Sequence, residues 1–445
     1  VSLLPAALLL AAWSPCAQAQ PQVAVLDNGL RVVVERRAHV PEVVVLVHHD
    51  TGSRDEAEGA HGTTHLLEHL LYEGSVHAPD RALERTVQAL GGTTNAWTSP
   101  DELVLFAEVP EGATERLLYL QADLLAGLAP LDPADLANQQ SVVLRERAEW
   151  SAAPFGEEAD VLGRALWPPG HPYHHPVLGT RAAVTGATDD ALQQRHLDRM
   201  GPASTVLSIV GDIDEQAIFE DVQRWFGRVP ARPPAPHPAA PQPLPPPAHR
   251  RVLHPTPGGR WALSWAWRGP AQDHADEPVM ALLPALLSAG QGTPLDDGSF
   301  ALGGLAASTA SWWTGALGGQ LELSVTLGQP RLPEAARLVR EVVRALQRVG
   351  PSEAALRRAV ELEVHALLDR LEDPVERAAF RARCVARGAA PACEHDRVAA
   401  LRAVTPDRVQ AVAQRHLDLD GGVQLSLVPV GKGGALSGSV PVDLP

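Results

Sequence analysis

His65-Leu66-Leu67-Glu68-His69 brings two imidazoles and a carboxylate within five residues. On a helix, positions i, i+3 and i+4 share one face, so His65, Glu68 and His69 point the same way. Leu66, Leu67, Leu70 and Leu71 then fall on faces that can be buried. Two imidazoles one turn apart can chelate a zinc ion at about 2.0–2.1 Å per nitrogen. A carboxylate beside them can take a proton from a metal-activated water. The order H-x-x-E-H is the inverted form of a zinc-hydrolase motif. A catalytic zinc also needs a third protein ligand and an open position. The same residues suit a solvated helix face, so the motif needs support from the rest of the chain.

The elements that must position this cluster are legible on either side of it. Residues 22–26 and 30–35 read as strands flanking Asp27-Asn28-Gly29, a hairpin signal. Residues 43–48 form a valine-rich strand. Helical patterns cover 64–72 and 80–90, a strand 103–109, and a helix 117–125. Asp132 as N-cap and Pro133 in the first turn start a helix expected to reach Trp150. Residues 205–210 close this half as a strand. Residues 229–255 are proline-rich and read as a stiff, extended linker. Beyond them the order recurs faintly: strands at 261–267, 320–327 and 423–428, and helices at 278–288, 332–349 and 353–371. The expected fold class is therefore α+β, with two similar domains, each a mostly antiparallel sheet packed with helices. The expected divisions are 1–19 (leader), 20–228 (metal-binding domain), 229–255 (linker), 256–430 (second domain without a metal site) and 431–445 (flexible tail).

The chain has 445 residues, 45% of them apolar, which suffices for two buried cores. A formal net charge of −16 argues against a nucleic-acid partner. Lys432 is the only lysine, a compositional bias rather than a functional signal. A short apolar run followed by Ala17-Gln18-Ala19 fits a secretory leader over residues 1–19. No later stretch is long and apolar enough for a membrane span. Export to a periplasm or the exterior is therefore expected. Cys384 and Cys393 would remain after cleavage of the leader, and an oxidising compartment favours a disulfide between them over two free thiols.

At this point the sequence resembles the pitrilysin, or insulinase, family of metallopeptidases, in particular its mitochondrial-processing-peptidase-like branch. The family carries H-x-x-E-H, then 76 intervening residues, then a glutamate that is the third zinc ligand. Here that position is Glu146, within Val142-Val143-Leu144-Arg145-Glu146, with Glu149 as the fallback one turn on. Other matching segments are Leu26-Asp27-Asn28-Gly29-Leu30, Gly52-Ser53-Arg54-Asp55-Glu56, His171-Pro172-Tyr173 and Val210-Gly211-Asp212. Gly91-Gly92-Thr93-Thr94-Asn95-Ala96-Trp97-Thr98 matches the family segment that binds the substrate backbone by strand addition. The resemblance implies one zinc ion on His65, His69 and Glu146, and Glu68 as general base. It also implies Asn95, Ala96 and Thr98 as substrate-binding residues, with 103–109 as the receiving strand. Asn95 also suits a simple turn. The alternative function is a non-catalytic assembly or zinc-binding subunit of the same fold.

Three departures from the family pattern stand out. Gln139 occupies the position where relatives have a second glutamate, and is expected to orient a ligand as an outer-shell amide. His61 adds an imidazole four residues before His65, more naturally a loop residue than a ligand. Relatives also carry an Arg/Tyr pair in the second domain, where this chain has Phe300 and Ala307; Trp312 and Trp313 read as packing residues. The resemblance therefore implies a partner, a homologous subunit supplying Arg and Tyr in a heterodimer, with a homodimer as the alternative.

Overall fold

Runs of β-branched residues buried on both faces build the centre of the first half. A computed structural model describes residues 20–38, 40–240, 244–248, 250–302 and 307–442. The expected leader thus lies outside the described residues. The first sheet contains β1 (Gln22–Val25), β2 (Arg31–Arg36), β3 (Glu42–His49), β4 (Thr93–Thr98), β5 (Leu103–Pro110) and β6 (Thr205–Gly211). Its order is β1-β2-β6-β3-β5-β4, antiparallel except where β2 meets β6. The second sheet contains β7 (Arg251–Thr256), β8 (Trp261–Gly269), β9 (Ala307–Gly315), β10 (Gly318–Leu327), β11 (Val423–Pro429) and β12 (Val440–Pro441). Its order is β12-β7-β11-β8-β10-β9, with parallel pairing of β7 to both β11 and β12. Both halves are mixed sheets packed with helices, and the central strand order is the same in each.

Strands β3 and β6 are buried almost throughout, so both faces of the first sheet need cover. One face packs on its own half's helices, with Leu66, Leu67, Leu117 and Leu118 in the core. The other is covered from the second half: Ala378, Ala379, Ala382 and Val385 of the Pro374–Ala386 helix lie on Val33, Val44, Leu46 and Val206. Small alanines let that helix approach closely. The Glu158–Leu166 helix of the first half returns the exchange, packing Val161, Leu162 and Leu166 on Val252, Ala262 and Leu425. Buried Glu35 anchors one exchanged helix through Arg377 (2.9 Å) and Arg381 (2.7 Å). Cys384, on that helix, is bonded to Cys393.

Three expectations need correction. Residues 103–109 do not form an open edge: β5 is paired with β3 on one side and β4 on the other, and the free edge belongs to β4. The proline-rich segment is not linker to its end, because Arg251–Thr256 is a strand of the second sheet. The tail is not wholly loose, since Val440 and Pro441 pair with β7.

Candidate metal centre

The Thr63–Glu73 helix carries the local motif. Leu66, Leu67, Leu70 and Leu71 are buried in the first core, which turns His65, Glu68 and His69 to the opposite side. The buried Glu56 carboxylate caps the helix start, accepting from the Gly62 N–H (2.8 Å) and the Thr64 N–H (2.7 Å). Burial nonetheless pushes Glu56 up to about 7, with Arg195 opposing. Gly62 has φ of 99°, and a Cβ there would lie 2.7 Å from the Leu178 carbonyl oxygen, so this entry turn requires glycine.

The Pro133–Ala152 helix supplies the third donor. Asp132 accepts from the Ala134 N–H at 2.7 Å and Pro133 fills the first turn, as expected of a well-capped start. Glu146 Oε2 stands 3.6 Å from His65 Nε2 and 3.5 Å from His69 Nε2. One ligand atom from each of the three residues lies within 4.8 Å of the others, the only such set of three among the described residues. These separations suit donors around one tetrahedral zinc, for which bond lengths of about 2.0–2.1 Å imply neighbours roughly 3.3 Å apart. Burial, reinforced by His69, lowers His65 to about 4 and keeps its imidazole in the neutral, ligating form. The donor chemistry therefore fits a zinc ion. Glu146 is 39% exposed, so the set faces solvent rather than being sealed. Glu149 is exposed and outside the set.

Glu68 lies beside the donors without being one of them. Burial raises it to about 7; a hydrogen bond from Thr98 Oγ1 (2.5 Å) opposes this and Glu146 adds to it. A cation among the donors would draw that value down. Thr98, expected to touch substrate, donates its hydroxyl to Glu68. Asn95 is exposed on β4 and is a strand residue, not a turn; its Oδ1 accepts from the Ala96 N–H at 2.9 Å. Ala96 is buried, so only its backbone can be offered to a ligand.

Gln139 touches none of the three donors. Its amide donates to Glu73 Oε1 at 2.6 Å, tying the two donor-bearing helices together, which corrects the expectation of ligand orientation. His61 stacks on His175 with ring centroids 3.8 Å apart and is not in the donor set. Trp312 packs in the second core, and Trp313 meets Tyr173 edge-on. Phe300 is 86% exposed, and residues 303–306 lie outside the described set. Glu56 and the Thr98–Glu68 bond were not anticipated. An acidic residue shortly before a glycine-started helix was the available signal for the first.

Fold and donors together define a two-domain α+β chain whose first half bears, among the described residues, one metal-type centre. Residues 31–167 match the family model described as Insulinase (Peptidase family M16), and residues 186–362 match Peptidase M16 inactive domain. The chain belongs to the M16, or insulinase, family of peptidases. It is 30% identical over 206 residues to "Uncharacterized zinc protease YmxG" of Bacillus subtilis, covering 46% of this chain and 50% of that one. It is 28% identical over 204 residues to "Probable mitochondrial-processing peptidase subunit beta" of Schizosaccharomyces pombe, covering 46% and 44%. The chain spans about half the length of the curated relatives it matches. A protease structure from Helicobacter pylori superposes with a TM-score of 0.83 at 19% identity, covering 93% of this chain and all of that one, a likeness of fold. No helix of the described residues is long and apolar enough to cross a membrane.

Proposed function

We propose that this chain is a zinc-dependent endopeptidase acting on extended peptides or unfolded segments. The observation that carries the reading is the convergence of His65, His69 and Glu146 with Glu68 at their side. A zinc ion held there would supply Lewis acidity toward a water and the scissile carbonyl. Glu68 takes the water's proton and returns it to the leaving amine. Thr98 keeps the Glu68 carboxylate aimed at the donors. The free edge of β4 receives the substrate as an added strand, through backbone hydrogen bonds that tolerate many sequences. On that edge, the Asn95 side chain moves aside to release the Ala96 N–H.

The remaining donors come from a partner. Phe300 and Ala307 have no side-chain group that can hydrogen-bond a developing oxyanion, and such donors contribute roughly 10²–10³-fold in rate. A homologous subunit carrying Arg and Tyr supplies them; a homodimer with other donors is the alternative. The relative named as a subunit beta supports an assembly. The cysteine pair supports an exported, oxidising location. Alone, the chain should bind zinc and cleave peptides slowly, and the partner should raise the rate; full activity of the verified single component would overturn the heterodimer. The match to an inactive-domain model falls on residues 186–362, outside the metal centre, but it keeps a non-catalytic subunit as the second reading. Metal content and peptide hydrolysis of wild type, Glu146→Gln and Glu149→Gln decide between them. The peptidase reading expects zinc and activity to fall together in Glu146→Gln alone. Loss of zinc in Glu149→Gln instead would move the ligand by one turn, and a zinc-loaded assembly that never hydrolyses peptides would favour the second reading.

A further inference from the structure

The second half offers no three-donor metal set among the described residues, yet it grips the turn that follows β4. Asp101 in that turn accepts from Arg54 Nη1 (2.7 Å), from the Tyr173 hydroxyl (2.8 Å) and from the Ala316 N–H (3.0 Å). The Tyr173 oxygen also accepts from the Leu317 N–H at 3.0 Å. Ala316 and Leu317 are the tip of the β9–β10 hairpin. The next residue, Glu102, is held from another side by Arg383 of the exchanged helix, through Nη2 (2.7 Å) and Nε (2.9 Å). His48 and the Trp97 indole complete its partners, each at 3.0 Å. The hairpin tip seats without spare room: a Cβ on Gly315 would lie 2.0 Å from Asp101 Oδ2 and 2.5 Å from the Tyr173 oxygen.

Thr98 ends β4 immediately before this turn, with its hydroxyl on Glu68. We infer that the second half is a positioning clamp: the hairpin tip and Arg383 hold residues 99–102 from two sides, fixing Thr98 against Glu68 and β4 as the receiving edge. Asp101, Tyr173 and Arg383 are positioning residues that act through Thr98. This extends the proposed peptidase function, since it assigns the metal-free half a part in catalysis. A purely architectural contact would brace the fold without reaching Glu68.

Two variants test it, Gly315→Ala, which wedges the tip, and Tyr173→Phe, which deletes one hydroxyl. Amide hydrogen exchange, which needs no activity, should quicken on the order of tenfold over residues 93–102. Exchange over residues 66–71 and zinc content should stay at the wild-type level. In the active assembly kcat should fall on the order of tenfold, the worth of one positioned hydrogen bond. Thr98→Val should do the same, and adding Gly315→Ala to it should cost little more, because both act on one bond. Unchanged exchange over 93–102 in both variants would overturn the clamp. So would kcat losses that multiply in the double variant. A zinc-loaded wild-type assembly that does not hydrolyse peptides would refute the peptidase reading alone, leaving the clamp to be decided by exchange.

Discussion

Glu68→Gln isolates proton transfer from metal binding. Glu68 is not among the three converging donors, so zinc should remain at about one per chain. Glutamine keeps the shape of the side chain and an amide oxygen that still accepts from Thr98 Oγ1, now 2.5 Å from the carboxylate. The helix should hold as well, because its anchors are Leu66, Leu67, Leu70 and Leu71 in the core and the Glu56 cap. Melting should therefore shift by no more than about 1 kcal/mol equivalent. Catalysis should behave differently. A carboxylate beside the donors can both accept and return a proton, and an amide does neither. Loss of a positioned base costs ~10²–10⁴-fold in kcat, which corresponds to about 2.7–5.4 kcal/mol of barrier. The assay pairs metal analysis with quenched-fluorescence peptide hydrolysis on the same preparations. A zinc-loaded variant turning over within a few-fold of wild type would refute the base assignment. A variant that loses its zinc would place Glu68 in the ligand set instead.

Two further predictions concern stability and pH. Hydrogen bonds to Asp50 and Asp55 raise His237, in the proline-rich segment, to about 9. Its stabilisation is complete below the ordinary histidine value of 6.5 and is lost as pH rises through about 9. His237 is partly solvated, so screening limits the effect to ~1 kcal/mol or less, and His237→Gln should flatten the decline in melting temperature over that window; an unchanged slope would contradict the pairing. Burial, then repulsion from Glu158, raises Glu322 well above the ordinary carboxyl value of 4.5. The folded pair thus holds a proton that the unfolded chain releases near 4.5, and stability falls as pH climbs above 4.5. Glu322→Gln should raise the melting temperature at pH 8 and leave it nearly unchanged at pH 4.5; a lower melting temperature at pH 8 would contradict the burial argument.

What the sequence revealed followed the range of the interactions involved. The His65–His69 face is local, set by helical periodicity, and its leucine backing needed no tertiary knowledge. Strand β4 was harder to see because Thr93-Thr94-Asn95-Ala96-Trp97-Thr98 lacks a run of large apolar residues, being paired on one side only. The more apolar 103–109 segment attracted the edge assignment, yet its apolarity is that of an interior strand. The exchanged helices were illegible for a related reason. Ala378, Ala379 and Ala382 announce a buried face, but periodicity does not say which sheet that face meets.

Gln139 shows how a correct spacing can still assign the wrong contact. Seven residues are nearly two helical turns, so Gln139 and Glu146 do share a face. They are also about 10.5 Å apart along the axis, beyond the reach of an amide toward a ligand carboxylate. The neighbouring helix decides the outcome. Glu73 stands one turn beyond His69, and the Gln139 amide reaches it at 2.6 Å. The two helices are thus joined by two rungs, Glu73–Gln139 and the His65/His69–Glu146 set. The first rung ties together the two helices that carry the second. A neutral amide suits that task, because it donates to the Glu73 carboxylate where a second glutamate would repel it.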